Sequence, residues 1–236
     1  MKGRISSLQS LGAVDGPGLR FVVFLQGCPL RCPYCHNPES WEEGGGQEMG
    51  AEELIEKILR FKPYLTGGGV TLSGGEPLLQ AGFALELLKG LKDEGFHTAL
   101  DTSGCLEPPE LPALLERTDL VLLDIKRADD GSYRREFGLP LDAPLRLLRR
   151  LEALSKPCWV RQVVVPGVND GEAELLALRE LAEPFSCVKR LELLAFRKLC
   201  APKYEALALP FPYAGKDELS AGRQSALQAR FGFVRE

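Results

Sequence analysis

Long apolar runs are missing from this chain. The longest, such as residues 21–25 and 120–123, stop far short of the roughly 20 residues that a membrane-crossing helix needs. An excess of one charge sign is also lacking. Lys plus Arg is 29 and Asp plus Glu 33, a net of −4, so bulk charge does not mark a nucleic-acid binder. The first ten residues lack an apolar core and a small-residue cleavage pattern, so they do not read as a secretory signal. A cytoplasmic protein with reduced thiols is expected. With 25 glycines and 17 prolines in 236 residues, low complexity is excluded. No sharp linker and no internal repeat divides the chain.

What is present is a folded-protein composition, 44% hydrophobic and 26% charged. It also has seven cysteines, an odd count and a poor disulfide framework. Three of them, Cys28, Cys32 and Cys35, fall within eight residues. Thiolates at this spacing suit an iron–sulfur cluster, zinc or Cu(I). A closed structural zinc site wants a fourth ligand. His36 adjoins Cys35 too closely to share one ion easily. Three ligands on a four-iron cluster leave one iron open. Unligated buried thiols are the plain alternative.

The pattern along the chain alternates. Strands are expected at 19–26, 69–73, 96–101, 119–126, 159–165 and 189–196. Helices are expected at 51–65, 77–94, 110–117, 141–154, 172–182 and 217–230. Residues 3–18 read as a polar, glycine-rich loop that ends in Asp15-Gly16-Pro17-Gly18. About six βα units predict an α/β fold with a parallel sheet. In such folds the chemistry gathers where strands end. The strand ends carry the Cys28 loop, Ser73-Gly74-Gly75-Glu76-Pro77, Asp101-Thr102-Ser103-Gly104, Asp124-Ile125-Lys126, Val165-Pro166-Gly167 and Phe196-Arg197.

The run Gly27-Cys28-Pro29-Leu30-Arg31-Cys32-Pro33-Tyr34-Cys35-His36-Asn37 resembles the signature of the radical S-adenosylmethionine (radical SAM) enzymes, and Ser73-Gly74-Gly75-Glu76-Pro77 resembles their glycine-rich second motif. Asp15-Gly16-Pro17-Gly18-Leu19-Arg20 and Tyr34-Cys35-His36-Asn37 are similar, more narrowly, to the glycyl-radical enzyme activases, in particular the group that acts on pyruvate formate-lyase. Further motifs at 101–104, 119–126 and 163–167 keep the same order. The resemblance implies an incomplete (β/α)6 TIM-like barrel, a single radical SAM domain over residues 1–236 and no ferredoxin-like insert, since residues 37–70 hold no cysteine.

It further implies that Cys28, Cys32 and Cys35 hold one 4Fe–4S cluster whose open iron S-adenosylmethionine chelates. Reductive cleavage would give a 5′-deoxyadenosyl radical that takes a Cα hydrogen from a glycine of the partner enzyme. Gly74 and Gly75 would let backbone approach the methionyl amine, and Glu76 would support that loop. Tyr34 and His36 would border the adenine. Asp124, Lys126 and Arg161 would serve the ribose and carboxylate. Asp101, Thr102 and Asp124 would hold a monovalent cation, with strand-end hydrogen bonding as the alternative. Asp15 would meet the substrate protein, although the same tetrapeptide reads simply as a turn, as most such tetrapeptides do. Flavodoxin or ferredoxin would donate the electron to a monomer without nucleic-acid or membrane partners.

The sequence departs from the resembled group at two places. Arg197 stands where histidine is common, and Cys200-Ala201-Pro202-Lys203-Tyr204 replaces a Gly-Lys-x-Lys stretch. Arg197 can still hydrogen-bond or stack on adenine. Cys105, Cys158, Cys187 and Cys200 are read as small buried hydrophobes, Trp159 as core, Arg146, Arg149 and Arg150 as a solvated helix face, and His97 as without a role. Two other functions stay in view: a radical SAM enzyme acting on a small molecule, such as a carboxy-deazaguanine synthase-like ring contraction, and a zinc-bound interaction module.

Overall fold

The computed structural model describes residues 1–235; Glu236, the last residue of the expected domain, lies outside the described residues. Two compact units are evident. The first comprises Met1–Pro29, Glu39–Thr102 and Leu106–Leu122, and the second Leu30–Pro38, Ser103–Cys105 and Leu123–Glu236.

The first unit begins with strands β1 (Lys2–Gly12), β2 (Arg20–Leu25) and β3 (Gln47–Gly50) and helix α1 (Ala51–Leu59). It continues through β4 (Gly69–Gly74), α2 (Ala81–Asp93), β5 (Thr98–Thr102) and α3 (Leu111–Glu116) to β6 (Leu120–Asp124), along which the chain passes into the second unit. Its strands run in the order β3-β1-β2-β4-β5-β6. β2, β4 and β5 pair in parallel, whereas β1 is antiparallel to both β2 and β3. The parallel strands are apolar almost throughout because both of their faces are covered: Val22, Val23, Leu72, Ala99 and Leu100 are fully buried. Helix α2 presents Phe83, Ala84, Leu87, Leu88 and Leu91 as one buried stripe at helical spacing.

The second unit holds α4 (Asp130–Phe137), α5 (Asp142–Ala153), β7 (Cys158–Val164), α6 (Glu172–Ala182), β8 (Val188–Ala195), α7 (Ala201–Ala206), α8 (Ala221–Phe231) and β9 (Phe233–Val234). β7 and β8 are parallel, and β9 is antiparallel to β8. The alternating α/β pattern thus gives a mostly parallel arrangement, with antiparallel strands added at β1, β3 and β9.

Several expectations need correcting. Residues 3–18 are not all loop, because β1 occupies most of them. Its serines and glycines hide the strand, and the pairing with β2 is broken by register shifts. The helix expected at 51–65 stops at Leu59 and gives way to a 3-10 turn at Lys62–Tyr64, where Pro63 offers no N–H. The helix expected at 77–94 splits into a 3-10 turn, Pro77–Gln80, and α2. The short α4, too polar to show periodicity, is held by its ends: the Asp129 carboxylate accepts the Ser132 N–H at 2.7 Å, and Gly138 closes it with φ 71°.

Candidate active site

The cysteine loop begins at the carboxyl end of β2. In the first unit its two ends are tied together: Gly27 N donates to the Ser40 carbonyl at 2.7 Å and Cys28 N to the Trp41 carbonyl at 3.1 Å. The Gln26 amide holds the Glu39 and Glu42 carbonyls at 2.9 and 2.7 Å. At the end of β4, Gly75 N donates to the Leu25 carbonyl at 2.9 Å and Glu76 N to the Gly27 carbonyl at 2.8 Å. A Cβ on Gly75 would stand 2.1 Å from the Gly27 oxygen, and one on Gly74, at φ +120°, 2.2 Å from the Leu25 nitrogen. These glycines are therefore already required by the chain's own backbone at the neck of the cysteine loop, a demand that comes before any ligand.

Glu76 is 1% exposed. Its carboxylate accepts the Leu78 N–H at 3.1 Å, capping the turn at Pro77–Gln80, and the Thr102 hydroxyl at 2.6 Å. Asp101, next to Thr102 on β5, accepts from the Ser73 hydroxyl at 2.8 Å. The ends of β4 and β5 are thus cross-tied by side chains.

Asp15 is half-buried, and its carbonyl accepts the Thr71 hydroxyl at 2.7 Å. The loop is anchored by Arg20, whose side chain is wholly buried. Its guanidinium donates to Thr71 Oγ1 at 2.5 Å, the Val70 carbonyl at 2.7 Å and the Pro17 and His97 carbonyls at 3.3 Å. Burial pulls the Arg20 pKa down to about 10, with Asp15 and Asp119 holding it up, so the group stays charged at neutral pH. His97, expected to be idle, places Nδ1 3.3 Å from Arg20 Nη1.

In the second unit, Asp124 at the end of β6 receives two cations: Lys126 Nζ at 3.3 Å and Arg161 Nε, from β7, at 3.2 Å. Burial pushes the Asp124 carboxyl up, but Lys126 and Arg161 outweigh it and hold it below the usual range. Burial likewise pulls Lys126 down, and attraction to Cys32, Asp124, Tyr34 and Tyr133 in their ionised forms, of which Asp124 is the carboxylate, more than reverses this. Two cations on one carboxylate leave a net positive charge in a largely buried place, which favours an additional anionic group. Tyr34 and Tyr133 beside Lys126 are both buried, and burial raises their phenol pKa values.

Of the thiols in this unit, Cys32 is buried and Cys35 half-buried. The Asn37 N–H donates to Cys35 Sγ at 3.4 Å. His36 is exposed, and its Nε2 donates to the Arg197 carbonyl at 2.9 Å. The Arg197 guanidinium donates to the Leu219 carbonyl at 2.7 Å. Tyr34 belongs to an aromatic cluster, 6.2 Å from Phe137 and 6.3 Å from Tyr213, and Tyr213 lies 6.2 Å from Phe196.

The sequence reading passed over Arg20, Tyr133, Tyr213, Lys203 and Tyr204. Arg20 was visible inside its motif, whereas Tyr133 sits on the unforeseen α4. Of the isolated cysteines, Cys158, Cys187 and Cys200 are buried as expected, but Cys105 is only half-buried. Trp159 is half-buried too, with the Arg190 guanidinium 4.8 Å from its ring centre. Arg146 and Arg149 pair with Asp142 on an exposed face.

Among the described residues no three His, Cys, Asp or Glu side chains are gathered as an ion-holding group. The donor chemistry fits an iron–sulfur cluster nonetheless. Cys28, Cys32 and Cys35 are not engaged in disulfides, Lys126 offers charge to a Cys32 thiolate, and Cys35 Sγ accepts a backbone N–H, as sulfur ligands commonly do. The cysteine loop stands on a mostly parallel α/β scaffold, and the model of the radical SAM superfamily matches residues 22–179. The chain belongs to the radical SAM superfamily, whose cofactors are a 4Fe–4S cluster and S-adenosylmethionine.

Within the superfamily the chain is 43% identical over 228 residues to the pyruvate formate-lyase-activating enzyme of Clostridium pasteurianum, spanning 96% of this chain and 95% of that one. It is 42% identical over 222 residues to the enzyme of the same name from Staphylococcus epidermidis, spanning 89% and 88%. A domain of pyruvate-formate lyase-activating enzyme from Bacteroides vulgatus superposes with a TM-score of 0.53 at 25% identity, over 69% of this chain and 92% of that chain. A radical SAM methyltransferase from Sphaerobacter thermophilus shares the fold, with a TM-score of 0.64 at 17% identity over 89% and 62%. No helix among the described residues is long and apolar enough to cross a membrane.

Proposed function

We propose that this protein is a glycyl-radical enzyme activase whose substrate is a glycine of pyruvate formate-lyase. The observation that carries this reading is the 43% identity to an enzyme of that name across 96% of this chain and 95% of that one. When bound and reduced by one electron from the donor, the cluster and S-adenosylmethionine would supply the radical chemistry that removes a hydrogen atom from the glycine Cα, with methionine and 5′-deoxyadenosine as the products.

The chain's own residues hold and orient. Cys28, Cys32 and Cys35 ligate the cluster. The net-cationic group of Lys126, Arg161 and Asp124 receives the methionyl carboxylate and the ribose. Gly74, Gly75 and Glu76 keep the backbone beside the methionyl amine rigid. Tyr34, His36 and Arg197 border the adenine, and Asp15 meets the partner's loop. A monovalent cation on Asp101, Thr102 and Asp124 belongs to the same reading, sharing those oxygens with Ser73, Glu76, Lys126 and Arg161. The chain works as one radical SAM domain, a monomer in the cytoplasm, reduced by flavodoxin or ferredoxin.

Anaerobic reconstitution with iron and sulfide, then incubation with S-adenosylmethionine, a reductant and pyruvate formate-lyase, tests this. A glycyl radical signal in the partner's electron paramagnetic resonance (EPR) spectrum is the expected result. Cleavage of S-adenosylmethionine with no such signal would remove the assigned partner. Cys32→Ala should abolish the cleavage while its circular dichroism matches wild type, and normal turnover in that variant would remove the ligand assignment.

A further inference from the structure

Lys203 and Tyr204 fall in the stretch where the sequence departs from the resembled group, yet both reach back to the cysteine loop. Lys203 Nζ donates to Asn37 Oδ1 at 2.9 Å, and the Tyr204 hydroxyl donates to the Cys35 carbonyl at 3.2 Å. The Asn37 N–H in turn lies on Cys35 Sγ at 3.4 Å. Tyr204 is 1% exposed, and its ring stacks on Phe211 at 4.7 Å, which fixes the direction of its hydroxyl. With His36 bonded to the Arg197 carbonyl, the turn Cys35-His36-Asn37 is restrained by the segment that follows β8 at the Cys35 carbonyl and at two side chains, while its sulfur is held from within the turn by the Asn37 N–H.

A backbone N–H aimed at a ligating sulfur withdraws electron density from it, and hydrogen bonds to the sulfurs are one of the means by which a protein sets a cluster's potential. We infer that Lys203 and Tyr204 are positioning residues: they fix the turn so that the Asn37 N–H stays on Cys35, and they thereby govern the reactivity of the bare thiol and the reduction potential of the cluster it ligates. The effect on the potential rests on the cluster reading above, and the effect on the thiol does not.

The test uses the full chain carrying Lys203→Met, Tyr204→Phe or Lys203→Arg. Tyr204→Phe keeps the stacked ring, and Lys203→Arg keeps a donor for Asn37. In cluster-free protein, iodoacetamide labelling is followed by peptide mass spectrometry, with Cys28 as internal standard. Labelling of Cys35 relative to Cys28 at neutral pH should fall about twofold in the Met and Phe variants, because the N–H favours the reactive thiolate and the roughly fivefold scale of one lost hydrogen bond is partly offset by a more nucleophilic sulfur, and stay near wild type in the Arg variant. In reconstituted protein, EPR-monitored redox titration should give a more negative midpoint for the Met and Phe variants. An unchanged labelling ratio, or an Arg variant that behaves like the Met variant, overturns the inference. A wild-type protein that takes up no cluster overturns the function proposed above and leaves the labelling result to judge the positioning role alone.

Discussion

Arg20 shows how much a single side chain can hold. Its guanidinium is wholly buried and its partners are mainly carbonyl and hydroxyl oxygens of the Asp15 loop, β4 and His97. Arg20→Met keeps much of the bulk and strands those acceptors, so it should cost roughly 2–4 kcal/mol. Urea unfolding should show a lower midpoint at unchanged slope; a loss under about 0.5 kcal/mol would mean that water replaces the guanidinium. The residue stands within a recognisable motif, but its burial was not foreseeable, because an isolated arginine reads as surface. The cysteines were legible for the opposite reason: three thiols at short spacing have few structural explanations. Lys203 and Tyr204 were not legible as site residues, since their partners Asn37 and Cys35 lie far away in sequence and only the fold joins them.

At the scale of elements, the carboxyl ends of β2, β4 and β5 form one hydrogen-bonded group. Gly75→Ala is the sharpest probe, because the added methyl would meet the Gly27 and Ser40 carbonyl oxygens at 2.1 and 3.0 Å. Both atoms are backbone and cannot swing away. A cost of roughly 1–3 kcal/mol is expected, together with poorer cluster retention, measured as iron per protein after gel filtration. A variant as stable as wild type would show that the loop neck yields freely. Strand positions were largely readable, since β-branched and aromatic runs such as Arg20–Leu25 stand out. β1 was missed because its order comes from pairing with β2 and β3 rather than from its own serines and glycines. The helix expected at 172–182 matches α6, Glu172–Ala182, which starts after Gly171 and buries Leu175, Leu178 and Ala182 at helical spacing.

For the molecule as a whole, the titrating groups define a pH window. Asp119 and Asp124 are held below the usual carboxylate range against the opposing pull of burial, chiefly by Lys92 for the first and by Lys126 and Arg161 for the second. The N–H of Cys187 and the Ser186 hydroxyl bring Glu152 to about 2. Their stabilisation is complete above the pH where unfolded carboxylates titrate, about 4, and is lost as pH falls through the lower folded values. His97, pulled down by burial and then by Arg20, adds a loss that begins below about pH 6.5. Glu136, raised by burial, opposes these on the acid side. Burial raises Cys158, and burial followed by Glu152 pushes Cys187 up to about 12. Their contribution is complete below about pH 8.5, where an unfolded thiol titrates, and is lost as pH rises towards the folded values. Thermal melting should therefore be highest between about pH 6.5 and 8.5 and fall on both sides; a midpoint still rising at pH 10 would contradict the thiol assignment.

The chain has two tryptophans, and the Trp41 carbonyl receives the Cys28 amide where the cysteine loop closes. Trp159→Phe would leave Trp41 as the lone indole emitter. The protein would then carry its own optical reporter at the neck of that loop, able to follow iron uptake in real time without an added dye.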